Sequence, residues 1–193
     1  MRTAPPGVQI ILITTIAGYL LQTGTGDGMI GSFALWPLQG SFMPWQLVTY
    51  AFLHGSITHL AFNMYGLWLF GREVEHMMGR RMFLQLYFAS VISAGLMQLL
   101  VTGYSGDVYP TVGASGGVFG LLLAYGMFFP NRVIMLLIPP IPMQARVFVV
   151  LYAVLELFLG VTGTQTGVAH FAHLGGMIGG YLVIQHWRSR RGG

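Results

Sequence analysis

Five small residues, Gly113-Ala114-Ser115-Gly116-Gly117, lead directly into an apolar run, Val118 to Phe129, that Pro130 closes. The pattern reads as a loop that becomes a helix at or next to Ser115. A serine at a helix start is surrounded by backbone N–H groups that have no intrahelical acceptor. Those groups and the positive end of the helix favour a negative oxygen. An acyl-transfer serine needs that environment while its tetrahedral intermediate forms. Serine between glycines is also ordinary turn chemistry, so the weight of the motif rests on which side chains reach it.

The candidates are polar residues inside apolar runs, where they are costly and functional by default. His59 and Asn63 stand four apart and share one helix face. His170 and His173 open the last apolar run, followed by Leu174-Gly175-Gly176. An imidazole in reach of a serine hydroxyl is a general base for a nucleophile, and His173 is the candidate base for Ser115. His59 and Asn63 are candidate donors to the oxyanion, beside the Ser115 N–H. No acid is expected at this site: Asp27 and Asp107 lie in connections on one side, Glu73 and Glu75 on the other, and Glu156 deep inside a run. The expected machinery is therefore a Ser–His dyad. Glu156 is expected to be protonated or hydrogen-bonded within the bundle, and His54 and His170 to be structural hydrogen-bonders.

The elements that must position these groups are membrane-spanning. The chain has 193 residues, 54% of them hydrophobic and 7% charged, whereas a soluble domain carries about 25% charged residues. Without cysteine there is neither a disulfide nor thiolate catalysis. Six apolar runs stand out, near residues 8–22, 57–70, 82–102, 115–129, 147–162 and 168–187. The first is expected to be kept as a span and not removed as a signal peptide.

Arg2, Arg72, Arg80, Arg81, Arg132, Arg146, Arg188, Arg190 and Arg191 all fall in alternate connections or at the ends, on one side of such a bundle. The positive-inside rule makes that side cytoplasmic, with both termini there. An arginine excess of this kind speaks of topology and not of nucleic acid. The second, fourth and sixth runs then begin at the outer face, which gives Ser115, His59, Asn63 and His173 one depth.

The fourth run would span roughly 22 Å as a helix, less than the ~30 Å hydrocarbon core. Ser115 is therefore submerged, and the loop at 103–112 must dip towards it to line a water-filled cavity open to the outside. Gly116 and Gly120 on the fourth run, with Gly176 and Gly180 or Gly175 and Gly179 on the sixth, are spaced for close helix contact. Such contact would carry His173 over Ser115. The connection at 23–56, with Phe33, Trp36, Phe42 and Trp45, is expected to lie partly in the outer leaflet. Ile138-Pro139-Pro140-Ile141-Pro142 is expected to be a tight turn at the inner face.

With these motifs in order, the chain resembles the rhomboid family of intramembrane serine proteases. The matching residues are the G-A-S-G turn at Gly113 to Gly116, the His59 and Asn63 pair, and the A-H-x-x-H-L-x-G element from Ala169 to Gly176. Trp45 and Gly71-Arg72-Glu73-Val74-Glu75 extend the match. The resemblance implies an all-α membrane protein, a six-transmembrane-helix bundle around a short fourth helix, forming one domain over 1–193. It implies hydrolysis of transmembrane segments of other proteins near the outer face of a prokaryotic cell membrane, with no cofactor and no metal. Ser115 would be the nucleophile, His173 the base, His59 and Asn63 the oxyanion donors, with Gly113, Gly116, Phe119 and His170 shaping the site. Two positions depart from the pattern of many members: Gln46 follows Trp45 where Arg is usual, and Phe119 stands where Tyr is usual.

Two other functions fit parts of the sequence. A non-catalytic binding protein on the same bundle would generally lack the serine or the histidine, and both are here. A zinc protease or a transporter would use His54, His59, His170 and His173, but no histidine is followed by glutamate as in H-E-x-x-H.

Overall fold

The computed structural model describes residues 4–25, 27–135, 140–163 and 169–190. In chain order it forms α1 (Pro6–Thr25), α2 (Asp27–Phe33), α3 (Gln46–Thr49), a 3-10 turn (Tyr50–Phe52) and α4 (Ile57–Gly66). A π-helical segment (Leu67–Gly71) joins α4 to α5 (Arg72–Met78), and α6 (Arg80–Ser105) and α7 (Ser115–Phe128) follow. A hairpin of β1 (Val133–Met135) and β2 (Pro142–Gln144) leads to α8 (Ala145–Thr162) and α9 (His170–Ser189). Each apolar run is helical over most of its length; α1 and α6 reach beyond their runs at both ends, with Arg80 and Ser105 continuing α6, whereas α7 stops at Phe128 and α9 starts at His170. The architecture is mostly helical but not all-α, because of the hairpin.

Among the described residues three helices, α1, α6 and α8, are long and apolar enough to cross a membrane. The 14 residues of α7 span about 21 Å, short of a ~30 Å hydrocarbon core. The residues from Gly116 to Leu122 are all buried, as expected of a helix that is apolar all round.

Small residues set the packing about α7. A Cβ on Gly176 would collide with the Gly116 carbonyl, and one on Gly180 would come within 3.0 Å of the Gly120 Cα. The other glycine face of α9 packs elsewhere: a Cβ on Gly175 would meet Met97 at 2.6 Å and one on Gly179 would meet the Ala89 carbonyl at 2.6 Å, both on α6. So α9 lies against α7 with one small-residue stripe and against α6 with the other. By contrast, α8 buries only Ala145, Val149 and Glu156 among its described residues.

Arginines gather at the C-terminal end of α7. Arg132 pairs with Glu73 at 2.5 Å, Arg72 with Glu73 at 3.6 Å, and Arg188 reaches the Met127 carbonyl at 3.5 Å. Buried Glu75, one turn from Arg72, accepts the N–H groups of Gly7 and Val8 at 2.8 Å each. A carboxylate there satisfies two orphan donors and complements the positive end of α1. The start of α1, α5 and the end of α7 therefore share one end of the bundle, and Ser115 lies at the other.

The connection at 23–56 is more ordered than a membrane-lying loop requires. Gln46 is fully buried. Its Oε1 accepts the N–H groups of Trp36 and Met43 at 3.1 Å each, and its Nε2 donates to the carbonyls of Ser41 at 3.2 Å and Ser32 at 3.4 Å. The neutral amide anchors the loop from within, which settles what the departure at this position does. The Pro-rich connection is flanked by a short hairpin, and Ile138 and Pro139 of the expected tight turn lie outside the described residues. Val133 pairs with Gln144, Ile134 with Met143 and Met135 with Pro142 in an antiparallel register; residues 136–139 lie outside the described residues.

Candidate active site

The backbone leading to Ser115 is held from three points. Leu35 and Thr111 exchange both backbone hydrogen bonds, at 3.0 and 2.9 Å. The Gly113 N–H donates to the Tyr50 carbonyl at 3.0 Å, and the Ala114 N–H donates to Nε2 of fully buried His54 at 3.3 Å. Gly113 has φ of +128°, and a Cβ there would stand 2.7 Å from the His59 ring. Both the dihedral and the close imidazole require glycine. The chain then turns into α7 with Ser115 as its first helical residue.

Across the contact of α7 with α9, Ser115 Oγ lies 2.8 Å from His173 Nε2. Phe119, one turn along α7, stacks on the His173 ring with centroids 4.2 Å apart and planes 5° from parallel. The missing phenolic hydroxyl leaves that aromatic face intact. The ring is thus fixed on its face by Phe119 and on its Nε2 edge by the serine. A hydroxyl and an imidazole so disposed can pass a proton.

The other edge of His173 overturns the expectation that no acid stands here. His173 Nδ1 is 2.9 Å from Glu156 Oε2, and His170 Nδ1 is 2.6 Å from the same oxygen. All three residues are buried. Counted from the start of α8, Glu156 is deep; counted from its end at Thr162, it is about 9 Å in, level with the first turn of α9. Its signal in the sequence was its cost. A buried acid requires donors, and the histidine pair three residues apart is the nearest supply at that level.

His59 and Asn63 follow one another on α4. Ser56 caps the helix by accepting the His59 N–H at 3.1 Å, and the Asn63 side-chain amide donates to the His59 carbonyl at 3.1 Å. An amide nitrogen carries two N–H groups, so Asn63 keeps a second one. The His59 ring packs edge-on against His54, centroids 5.0 Å apart.

One cavity of about 1330 Å³ is lined by Ser115, His173, His59, Asn63, Gly113, Gly116, Phe119 and His170 together. Its remaining walls are largely apolar. Phe62, Tyr65 and Leu69 line it from α4 and the π segment, Leu151, Tyr152 and Leu155 from α8, and Ile134 and Met143 from the hairpin. It is a cleft beside α7 that runs from the polar groups to the hairpin, where a water-filled cavity open to the outside was expected. His54 is absent from this lining and acts through the Ala114 N–H instead.

Glu156, His170 and His173 each offer one atom within 4.8 Å of the others, the one such metal-capable cluster among the described residues. At 2.6 and 2.9 Å the nitrogen–oxygen separations are those of direct hydrogen bonds.

A Rhomboid domain model matches residues 41–189. The chain is 31% identical over 195 aligned positions to "Rhomboid protease GlpG" of Yersinia pestis (strain Pestoides F), and 31% to the protein of that name from Yersinia enterocolitica serotype O:8 / biotype 1B (strain NCTC 13174 / 8081). Each alignment covers 97% of this chain and 64% of the relative, so the chain spans a little under two thirds of their length. The domain match takes in the serine turn, the α4 pair and the α9 histidines at once, and this multi-pass membrane chain belongs to the rhomboid family.

Proposed function

We propose that this protein is an intramembrane serine endopeptidase that cuts transmembrane segments of other membrane proteins. The observation that carries this reading is the 2.8 Å approach of Ser115 Oγ to His173 Nε2 beside a long apolar cleft. His173 takes the Ser115 proton as the hydroxyl attacks the substrate carbonyl. The resulting oxyanion is met by the Ser115 N–H and by side-chain donors from Asn63 and His59. His173 then gives the proton to the leaving amine, the C–N bond breaks, and water resolves the acyl-enzyme.

The cleft between α4 and α8 suits lateral entry of a helical segment, whose end unwinds beside Ser115. The expected neighbouring connection at 163–167 lies mostly outside the described residues. In this reading the bundle is one domain of six spans in a bacterial inner membrane. Both termini are cytoplasmic, Ser115 is near the outer face, and the connection at 23–56 is associated with the outer leaflet. The names of the Yersinia relatives support proteolysis. The presence of both serine and histidine disfavours a binding protein without chemistry.

The test is cleavage of a model transmembrane substrate by purified, reconstituted protein. Wild type should cut and label with a fluorophosphonate. Ser115→Ala and His173→Ala should do neither; Ser115→Ala should keep the wild-type unfolding midpoint, while His173→Ala, which strips a donor from buried Glu156, should stay folded at a lower one. Equal cleavage by Ser115→Ala would refute the assignment.

A further inference from the structure

We infer that Glu156 is a positioning residue for the Ser115–His173 pair, its carboxylate holding the Nδ1–H groups of His173 and His170 on one oxygen. The inference rests on the proposed roles of Ser115 and His173. Glu156 Oε2 lies 2.9 Å from His173 Nδ1 and 2.6 Å from His170 Nδ1. An ionised carboxylate only accepts, so both imidazoles must carry their proton on Nδ1. For His173 this leaves a bare Nε2 facing the serine hydroxyl at 2.8 Å. The other tautomer would present an N–H to Ser115 and could not take its proton.

His170 has a different part. Its Nε2 is buried and has no partner among the described residues, so its one polar connection is the Nδ1–H given to Glu156. A lone carboxylate in this apolar bundle is costly unless donors compensate it. His170 supplies the second donor, which keeps the charge in place between the helices. Of the three residues that α8 buries, Glu156 is the polar one. The carboxylate thus ties a sparsely packed helix to the base.

The proton balance is simple. The Ser115 Oγ–H proton moves to His173 Nε2 as the Oγ–carbon bond forms, and later to the leaving nitrogen as the C–N bond breaks. Glu156 neither gains nor loses a proton; it faces the imidazolium that exists between those steps. Loss of a carboxylate in this relation costs up to about 10⁴ in kcat through the wrong tautomer.

The experiment compares wild type, Glu156→Gln and His170→Gln in the reconstituted assay, with kcat, KM, fluorophosphonate labelling rate and unfolding midpoint read for each. Glu156→Gln should lower kcat and the labelling rate together by roughly 10²–10⁴-fold, with KM within about twofold. His170→Gln, which keeps the carboxylate, should lose roughly tenfold in kcat. If Glu156→Gln shifts the unfolding midpoint, the His170→Gln arm decides. Wild-type kcat and labelling in a folded variant would overturn the inference while Ser115-dependent cleavage stands. A wild type that neither cuts nor labels would overturn the proposed function and this role with it. Activity lost on exhaustive chelation and restored by Zn²⁺ would make the trio metal ligands and also overturn it.

Discussion

Replacing Gly176 with alanine tests whether helix packing sets the distance between serine and imidazole. The new methyl would fall on backbone, colliding with the Gly116 carbonyl oxygen and lying 2.8 Å from its carbon. An ordinary contact begins near 3.4 Å, so the carbonyl carbon alone requires about 0.6 Å of separation between α7 and α9, and the closer carbonyl oxygen requires more. Neither side has a flexible side chain to yield. Gly116 directly follows Ser115, and His173 lies one turn before Gly176, so the separation passes almost undiminished to the pair. A 2.8 Å hydrogen bond would open past about 3.4 Å, beyond useful geometry.

Overpacking of this kind costs about 1–3 kcal/mol of stability, and a misplacement approaching 1 Å costs up to about 10²-fold in rate. Gly176→Ala should therefore lower both the unfolding midpoint and kcat. Gly180→Ala, whose methyl would meet Gly120 at 3.0 Å two turns from His173, should lower stability with a smaller effect on kcat. Gly24→Ala, with nothing within 4 Å, should change neither adversely. The assay is turnover of a reconstituted transmembrane substrate beside thermal unfolding of the same preparations. Wild-type kcat in Gly176→Ala, at whatever stability, would refute the claim that the glycine contact fixes the pair.

Two further outcomes follow from side-chain amides. Gln46→Leu should cost about 1–3 kcal/mol, because the part-buried N–H groups of Trp36 and Met43 lose their acceptor; an unfolding midpoint within a degree of wild type would contradict this. Asn63→Ala should lower kcat by about 10²–10³-fold with KM little changed if its second N–H meets the oxyanion, and wild-type turnover in reconstituted protein would remove Asn63 from that role.

Much of the site could be read from residue types and order. The four-residue spacing of Gly116 with Gly120 and of Gly176 with Gly180 is a backbone statement, since only small residues allow that approach. It therefore survives without knowledge of loops. The grouping of arginines in alternate connections likewise carries vertical order, and Arg72, Arg132 and Arg188 do meet at the end opposite Ser115. Glu156 was legible only as a cost. Its partner depends on how far α8 is offset against α9, and sequence spacing does not encode that offset. Gln46 was illegible for a related reason: its four partners are backbone groups of a loop whose path the amide itself helps to create. The β1–β2 hairpin was hidden because each strand has three residues, too few for an alternation to declare itself.

The position of Ser115 depends on residues outside the Ser115–His173 pair. In the proposed membrane placement a helix as short as α7 leaves its start below the outer face, and the loop before it is held there by other backbone. The holding groups are the Leu35 backbone, the Tyr50 carbonyl and His54 Nε2, and all three come from the connection that Gln46 anchors. Tyr50 is itself fixed, its hydroxyl donating to the Val91 carbonyl of α6 at 2.8 Å. The partners are neutral, which suits a low-dielectric setting where an unpaired charge would be far more costly than a shared amide. The connection at 23–56 is thus the support on which the serine turn rests, while the glycine stripes bring the imidazole to it from the other side.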